Sequence, residues 1–334
     1  GWDAARRQTP DKGPLKRGVG MAAGTWVAGA GGPPSTVILK LFADGSANLN
    51  MGASDIGTGT KTVMAMVVAE ELAVPLDRIQ VEHADTGTTQ YATASGGSKT
   101  VPTEAPATRA AALEVKRQVL ELAAEELKVP VADLRLQDGA VVSLKDPALK
   151  KPFFELGGLR RRGVIVGVGT RAPNPEDLAI CPFAAQFCEV EVNTRTGEVR
   201  VLRFLAAQDS GRVMNRLTYD SQVIGGITMG IGLALTEARV LDGAQTGKLV
   251  SGNLHDYKLP TMLDVPTDIA SLPVEVPDVR ANSAGAKGLG EPVTIPTAAA
   301  VANAVFAATG VRVTDSPISP ARLLPLLATA RKEG

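Results

Sequence analysis

Cysteine and histidine are nearly absent, with two of each in 334 residues. Cys181 and Cys188 are too few and wrongly spaced for a zinc site or an iron–sulfur cluster, and both read as plain buried or half-buried residues. His83 and His255 lie on different segments and read as structural. A metal here must be carried mainly by something other than protein ligands. Excess charge is also missing: 35 Lys and Arg balance 35 Asp and Glu, and no long one-sign run occurs, which excludes an electrostatic grip on nucleic acid or anionic membrane. No stretch reaches the roughly 18 uninterrupted apolar residues of a spanning helix, and the N-terminus lacks the basic-then-apolar plan of a signal peptide, so neither spanning nor self-export is expected. An initiator methionine is absent too; Gly1-Trp2-Asp3 fits a trimmed product, a processed subunit or a piece lacking its front half. Aromatics are scarce at 4%, but 44% apolar residues suffice for a large core in one large domain or two smaller ones. No repeat of 20–50 residues is legible, which argues against solenoids and propellers.

What is present reads as mixed α+β architecture in two lobes. Residues 1–34 are basic, Gly-rich and aperiodic, and are expected to form an extended arm. Residues 37–42 and 47–51 alternate around Asp44-Gly45, the pattern of a hairpin, and 184–192 with 199–204 make a second hairpin around the 193–197 turn. Helices are expected over 60–73, 104–127, 222–236, 296–309 and 320–330, with a strand near 79–82. In the second of these helices Leu113, Leu120 and Leu127 form the expected buried stripe. The prolines and basic run of 150–162 read as the connection between a first lobe over 35–150 and a second over 151–334.

Three segments could carry chemistry. Residues 52–62 run from a strand into a buried helix, where glycine amides and a helix N-terminus suit an anion, but a P-loop would need glycine at Thr60 and at Asp55. Ser95-Gly-Gly-Ser-Lys-Thr100 leads into the next helix and breaks the same pattern at Ser98. Two broken P-loops rich in hydroxyls point to another polyanionic ligand, and a pterin with a pyrophosphate would use such donors. The third segment, 284–296, places Glu291 between Gly290 and Pro292, a costly setting for a mere surface charge. No serine-hydrolase elbow is present, since Ser54 sits one residue too far from Gly57. From the residues alone the reading is a two-lobed binder of an anionic cofactor with one poised carboxylate.

Five segments, in order, resemble the molybdopterin-binding subunits of the xanthine dehydrogenase, aldehyde oxidoreductase and carbon monoxide dehydrogenase family: DIGTGT (55–60), GGSKT (96–100), EVEVNTRTGEVRV (189–201), GRVMNRLTYDSQVIGGITMGIGLALTE (211–237) and AKGLGEPVTIPTAAAVANAV (286–305). The similarity covers nearly the whole chain from about Arg17, and only the second half of a full family member. It implies the α+β fold of that family's second molybdopterin-binding domain.

The resemblance further implies a molybdenum–molybdopterin cofactor, in its cytosine dinucleotide form, with no protein ligand to the metal. It implies Glu291 as general base in a hydroxylation whose oxygen comes from water. Gly57, Thr58, Gly59, Gly97, Ser98, Thr100, Gln222, Gly288 and Gly290 are implied as cofactor contacts. Partners implied are an N-terminal molybdopterin-binding half, as a separate chain or a missing segment, an iron–sulfur subunit and an FAD subunit. The form Ile56-Gly57-Thr58-Gly59 resembles the bacterial aldehyde oxidoreductases and so favours an aldehyde over a purine or other N-heterocycle. Placement is expected in the cytoplasm, with a periplasmic route through a partner's signal as the alternative. The rival to an enzyme component is an isolated, non-catalytic domain without cofactor.

Overall fold

Alternating apolar residues build the first sheet. The structure, a computed structural model, describes residues 13–27 and 35–333. In it β1 (Leu15–Thr25) precedes the hairpin of β2 (Thr36–Phe42) and β3 (Ala47–Met51). Val37, Leu39 and Leu41 of β2 are fully buried on one face. Asp44 closes the turn by accepting from the Ser46 N–H and hydroxyl, at 2.9 and 2.6 Å, while Gly45 takes the φ of 80° the turn requires. α1 (Thr60–Leu72) follows, then β4 (Ile79–His83) parallel to β3, and α2 (Thr100–Leu127). A small sheet of β5 (Leu134–Gln137), β6 (Ala140–Ser143) and β7 (Lys150–Pro152) and the short α3 (Gly157–Arg162) lead to β8 (Val164–Thr170). β8 pairs with β2, and the first sheet runs β4-β3-β2-β8 with α1 and α2 against it.

The second lobe contains β9 (Phe183–Asn193), β10 (Val199–Asp209) and β11 (Asp268–Pro273) in a sheet ordered β1-β9-β10-β11. Its helices are α4 (Arg216–Leu235), α5 (Gly290–Thr294), α6 (Thr297–Thr309) and α7 (Pro320–Glu333). The 290–309 stretch is long and apolar enough by composition to cross a membrane. In this fold Ala300, Val301, Ala304 and Val305 are instead fully buried in the second core.

The lobes share a packing device. A β-carbon on Gly167 or Gly169 of β8 would overlap carbonyl oxygens of Ala111 and Ala107 on α2, and one on Gly18 or Gly20 of β1 would overlap the backbone of α6 around Ala304. Glycine on the strand and alanine on the helix let the two backbones approach to near contact. This explains two departures from the sequence reading. Residues 15–25 are a strand of the second sheet, not an arm; glycines occupy the inward positions where alternation would show apolar side chains. The rest of the expected arm, 1–12 and 28–34, lies outside the described residues. On α2 the fully buried face is Ala107, Ala111, Ala112, Val115, Val119 and Ala123, whereas Leu113 is 40% exposed and Leu120 and Leu127 are only partly buried. Close packing selected small residues over large ones.

Residues 150–162 are likewise no linker. Phe153, Leu156 and Leu159, three apart, enter the first core at 1% exposure or less, and the surrounding prolines and arginines hide that spacing. The division at 150 is therefore corrected: β8 still belongs to the first sheet, the chain crosses between lobes over 171–182, and β1 belongs to the second.

Candidate functional site

The lobes meet at a cavity of about 320 Å³ lined by the 56–60 and 95–102 segments of one and the 210–222 and 286–291 segments of the other. Polar contacts also bridge the lobes: Arg212 donates to both oxygens of Glu70 at 3.0 and 2.9 Å, and Arg109 to the Ser283 carbonyl at 3.1 Å. Clefts between structural units are the usual place for small-molecule sites.

The 284–291 loop is laced to the end of β10. Gly211 and Ala286 form a β-bridge, the Lys287 N–H donates to the Ser210 carbonyl at 2.7 Å, and the Arg212 N–H to the Gly285 carbonyl at 2.8 Å. The Lys287 ammonium donates to Asp209 at 2.8 Å. Farther along, buried Gln186 of β9 donates to the Val293 carbonyl at 2.5 Å and accepts from the Thr297 hydroxyl at 2.7 Å, which fastens α5 and α6 to the sheet. Glu291, in the first turn of α5, thus stands exposed at the cavity wall, where Ser98 of the other lobe donates to its carboxylate at 2.7 Å.

Of the residues singled out from the sequence, Thr58, Ser98, Thr100, Gln222, Gly288, Gly290 and Glu291 line this cavity. Gly57, Gly59 and Gly97 stand beside it without lining it. Gly57 and Gly59 do not present their amides to a ligand, because both donate to the Asp55 carboxylate, at 2.9 and 3.2 Å, as does the Lys61 N–H at 3.0 Å. Burial pushes the Asp55 carboxyl up, but the three amides and nearby His83 outweigh it and leave it below its usual range. Gly59 has the left-handed φ of 81°, and a β-carbon on it would crowd Thr218. Side-chain hydroxyls, rather than the amides of Gly57 and Gly59, therefore face the cavity from this loop.

Sequence reasoning missed Ser210, Asn215, Thr218, Tyr219 and Lys287, which also line the cavity. Asn215 carried a signal: it caps α4 by accepting from the Leu217 and Thr218 N–H groups at 3.0 and 3.4 Å. Tyr219 is buried beneath the cavity, its hydroxyl donating to the Gln208 carbonyl at 2.9 Å, and burial pushes its phenol above the usual range. Both cations at the wall, Arg212 and Lys287, are paired already, so the polar groups a ligand meets are chiefly hydroxyls and amides, set among apolar side chains such as Ile56, Val63, Met214 and Leu289. Among the described residues no three His, Cys, Asp or Glu side chains gather to hold a metal.

Such a cavity, with short polar donors from both lobes and one carboxylate at its wall, defines a cofactor- or substrate-binding α+β domain. The chain belongs to the molybdopterin cofactor-binding domain family, whose profile matches residues 1–266. It is 34% identical over 340 residues to a putative xanthine dehydrogenase molybdenum-binding subunit of Escherichia coli K12, covering 96% of this chain and 44% of that protein. To the aldehyde oxidoreductase molybdenum-binding subunit of Escherichia coli O157:H7 it is 32% identical, over 86% of this chain and 38% of the relative. Among solved structures, the reconstituted CO dehydrogenase from Oligotropha carboxidovorans superposes with a TM-score of 0.85 at 25% identity, over 96% of this chain and 42% of that one. The chain thus spans less than half the length of these relatives, and its α+β fold is theirs.

Proposed function

We propose that this chain is the C-terminal part of the molybdenum-binding subunit of a molybdenum hydroxylase, holding molybdopterin in the interlobe cavity and supplying Glu291 as general base for water-derived hydroxylation of an aldehyde. The observation that carries this reading is the Glu291 carboxylate, the one acidic side chain among the described cavity-lining residues, beside hydroxyls, amides and glycines in a wall that also carries Ile56, Val63, Val101, Met214 and Leu289.

The residues fit the cofactor. Gln222 lines the cavity with an amide that has no hydrogen-bond partner among the described residues, offering both a donor and an acceptor to a pterin edge. At Gly96 and Gly97 no atom stands within 4 Å of where a β-carbon would be, so a ligand can approach the backbone closely. Thr58 and Thr100 add hydroxyl oxygens to the wall, the first sharing a hydrogen bond with the Thr60 hydroxyl at 3.0 Å and the second donating to the Ser95 hydroxyl at 3.4 Å, and Gly288 and Gly290 leave backbone exposed between Lys287, Leu289 and Glu291 on the facing segment. When bound, the molybdenum cofactor supplies the two-electron acceptor that no side chain here provides.

Glu291 then takes a proton at its carboxylate, a role suited to an acceptor fixed in place at the cavity wall. The loop lacing to β10 and the Gln186 contacts hold α5, so the carboxylate is positioned before substrate arrives. Further parts of the proposal are the cytosine dinucleotide form, an N-terminal half completing the substrate channel, and iron–sulfur and FAD subunits that carry electrons away. The aldehyde assignment rests on the Ile56-Gly57-Thr58-Gly59 form and on the aldehyde oxidoreductase among the relatives. In the assembled complex Glu291→Gln should abolish turnover while molybdenum and pterin contents stay near wild type; retained turnover refutes the assigned role.

A further inference from the structure

Glu291 is not positioned by its own helix alone. Ser98 Oγ donates to Glu291 Oε2 at 2.7 Å and accepts from the Glu291 N–H at 2.8 Å. The two residues are 193 positions apart and come from different lobes. A serine hydroxyl carries one proton, and here that proton is spent on the carboxylate. What remains of Ser98 is acceptor capacity alone, which suits it poorly to donate to a phosphate or a pterin carbonyl. The paired contact also satisfies a first-turn amide of α5, the group that a helix start leaves without an intrahelical partner. Glu291 Oε1 has no hydrogen-bond partner among the described residues, so one carboxylate oxygen is held and the other is available. Gly290 keeps the junction open, since a β-carbon there would stand 3.4 Å from Gln222 Oε1 and 3.7 Å from Ser98 Oγ.

We infer that Ser98 is a positioning residue for Glu291 rather than a contact to the cofactor: its hydroxyl fixes Oε2 and the α5 amide, and so aims Oε1 for proton transfer across the junction of the lobes. This role rests on Glu291 being the base. Ser98 itself has the left-handed φ of 51°. Glycine adopts that backbone without strain, so Ser98→Gly removes the hydroxyl while sparing the turn. Ser98→Cys keeps the shape and weakens the donor.

The test compares wild type, Ser98→Gly, Ser98→Cys and Glu291→Gln in the assembled, cofactor-loaded complex. Ser98→Gly should lower kcat by about 10- to 100-fold, the usual worth of a hydrogen bond to a charged group. KM should stay within about twofold, because substrate binding is not what the hydroxyl serves. Molybdenum and pterin contents should equal wild type, and amide hydrogen exchange over 288–292 should accelerate, a readout that does not depend on turnover. Ser98→Cys should fall between, and it carries the test if Ser98→Gly fails to assemble. Unchanged kcat and exchange in these variants overturn the inference, as does loss of cofactor in step with activity, which would make Ser98 a cofactor contact. Retained turnover in Glu291→Gln removes the base itself and with it this role; that failure is told apart from failure of the Ser98 contact by exchange over 288–292, which still accelerates in Ser98→Gly.

Discussion

Removing Asp209 should cost more stability than removing Lys287, although the two form one ion pair. The Lys287 side chain is 9% exposed and that of Asp209 is 30% exposed, with 2.8 Å between Nζ and Oδ2. Asp209→Ala strands an ammonium whose remaining acceptor is the Cys181 carbonyl at 3.4 Å. It also takes away the acceptor of the Gly211 N–H. Breaking a buried pair from the side that leaves the more buried charge costs about 3 kcal/mol. Lys287→Met leaves Asp209 with the Gly211 N–H and access to water, and should cost about 1 kcal/mol. Since the stranded charge is absent from the double variant, that variant should cost about 1–2 kcal/mol less than the sum of the singles. Denaturant unfolding monitored by two probes, with unchanged m-values, measures all three. Equal single costs, or singles that add, would refute the argument that Lys287 is held by Asp209 and not by the backbone lacing around it.

Other predictions follow from burial and close contact. Glu104 is fully buried with no hydrogen-bond partner for either oxygen among the described residues; desolvation pushes its carboxyl up to about 7, against a smaller downward pull from the Ser35 hydroxyl. Because the folded pKa lies above the unfolded value of 4.5, stability should fall as pH rises from about 4.5 to 7 and level off above. Glu104→Gln should therefore gain roughly 3 kcal/mol at pH 8 relative to pH 5, read by denaturation at both. Gly169→Ala places a methyl group against the α2 backbone and should cost about 2–3 kcal/mol, whereas Gly225→Ala, with open space around it, should be neutral or stabilising by up to about 1 kcal/mol. Asp55→Ala releases three amides and should cost about 1–2 kcal/mol and lower cofactor retention, assayed as molybdenum per chain. Asp55's folded pKa is depressed, so its contribution should be present above pH 3.8 and fade as pH falls below.

Both hairpins, the major helices and the α+β class were legible because alternation, turn residues and helical formers leave local marks. The strand over 15–25 was not, because Gly18 and Gly20 replace side chains with backbone proximity to α6, and proximity leaves no periodicity in sequence. The buried face of α2 was misjudged for the same reason: leucines mark apolarity, while the contact with Gly167 and Gly169 demands alanine. At the site, most of the cavity-lining residues lie in motifs visible beforehand, yet their mutual arrangement does not. Asp55 lies four residues from Gly59, and its closure of the amides depends on loop geometry that no residue pattern states. The Ser98–Glu291 and Lys287–Asp209 pairs bridge distant segments, and single-sequence reading has no term for them.

The most direct test of the account is a crystal structure of the assembled complex with anomalous data at the molybdenum edge. A peak in the interlobe cavity, near both Gln222 and the Glu291 carboxylate, is the predicted result. A fully loaded complex whose molybdenum peak lies outside this cavity would contradict it.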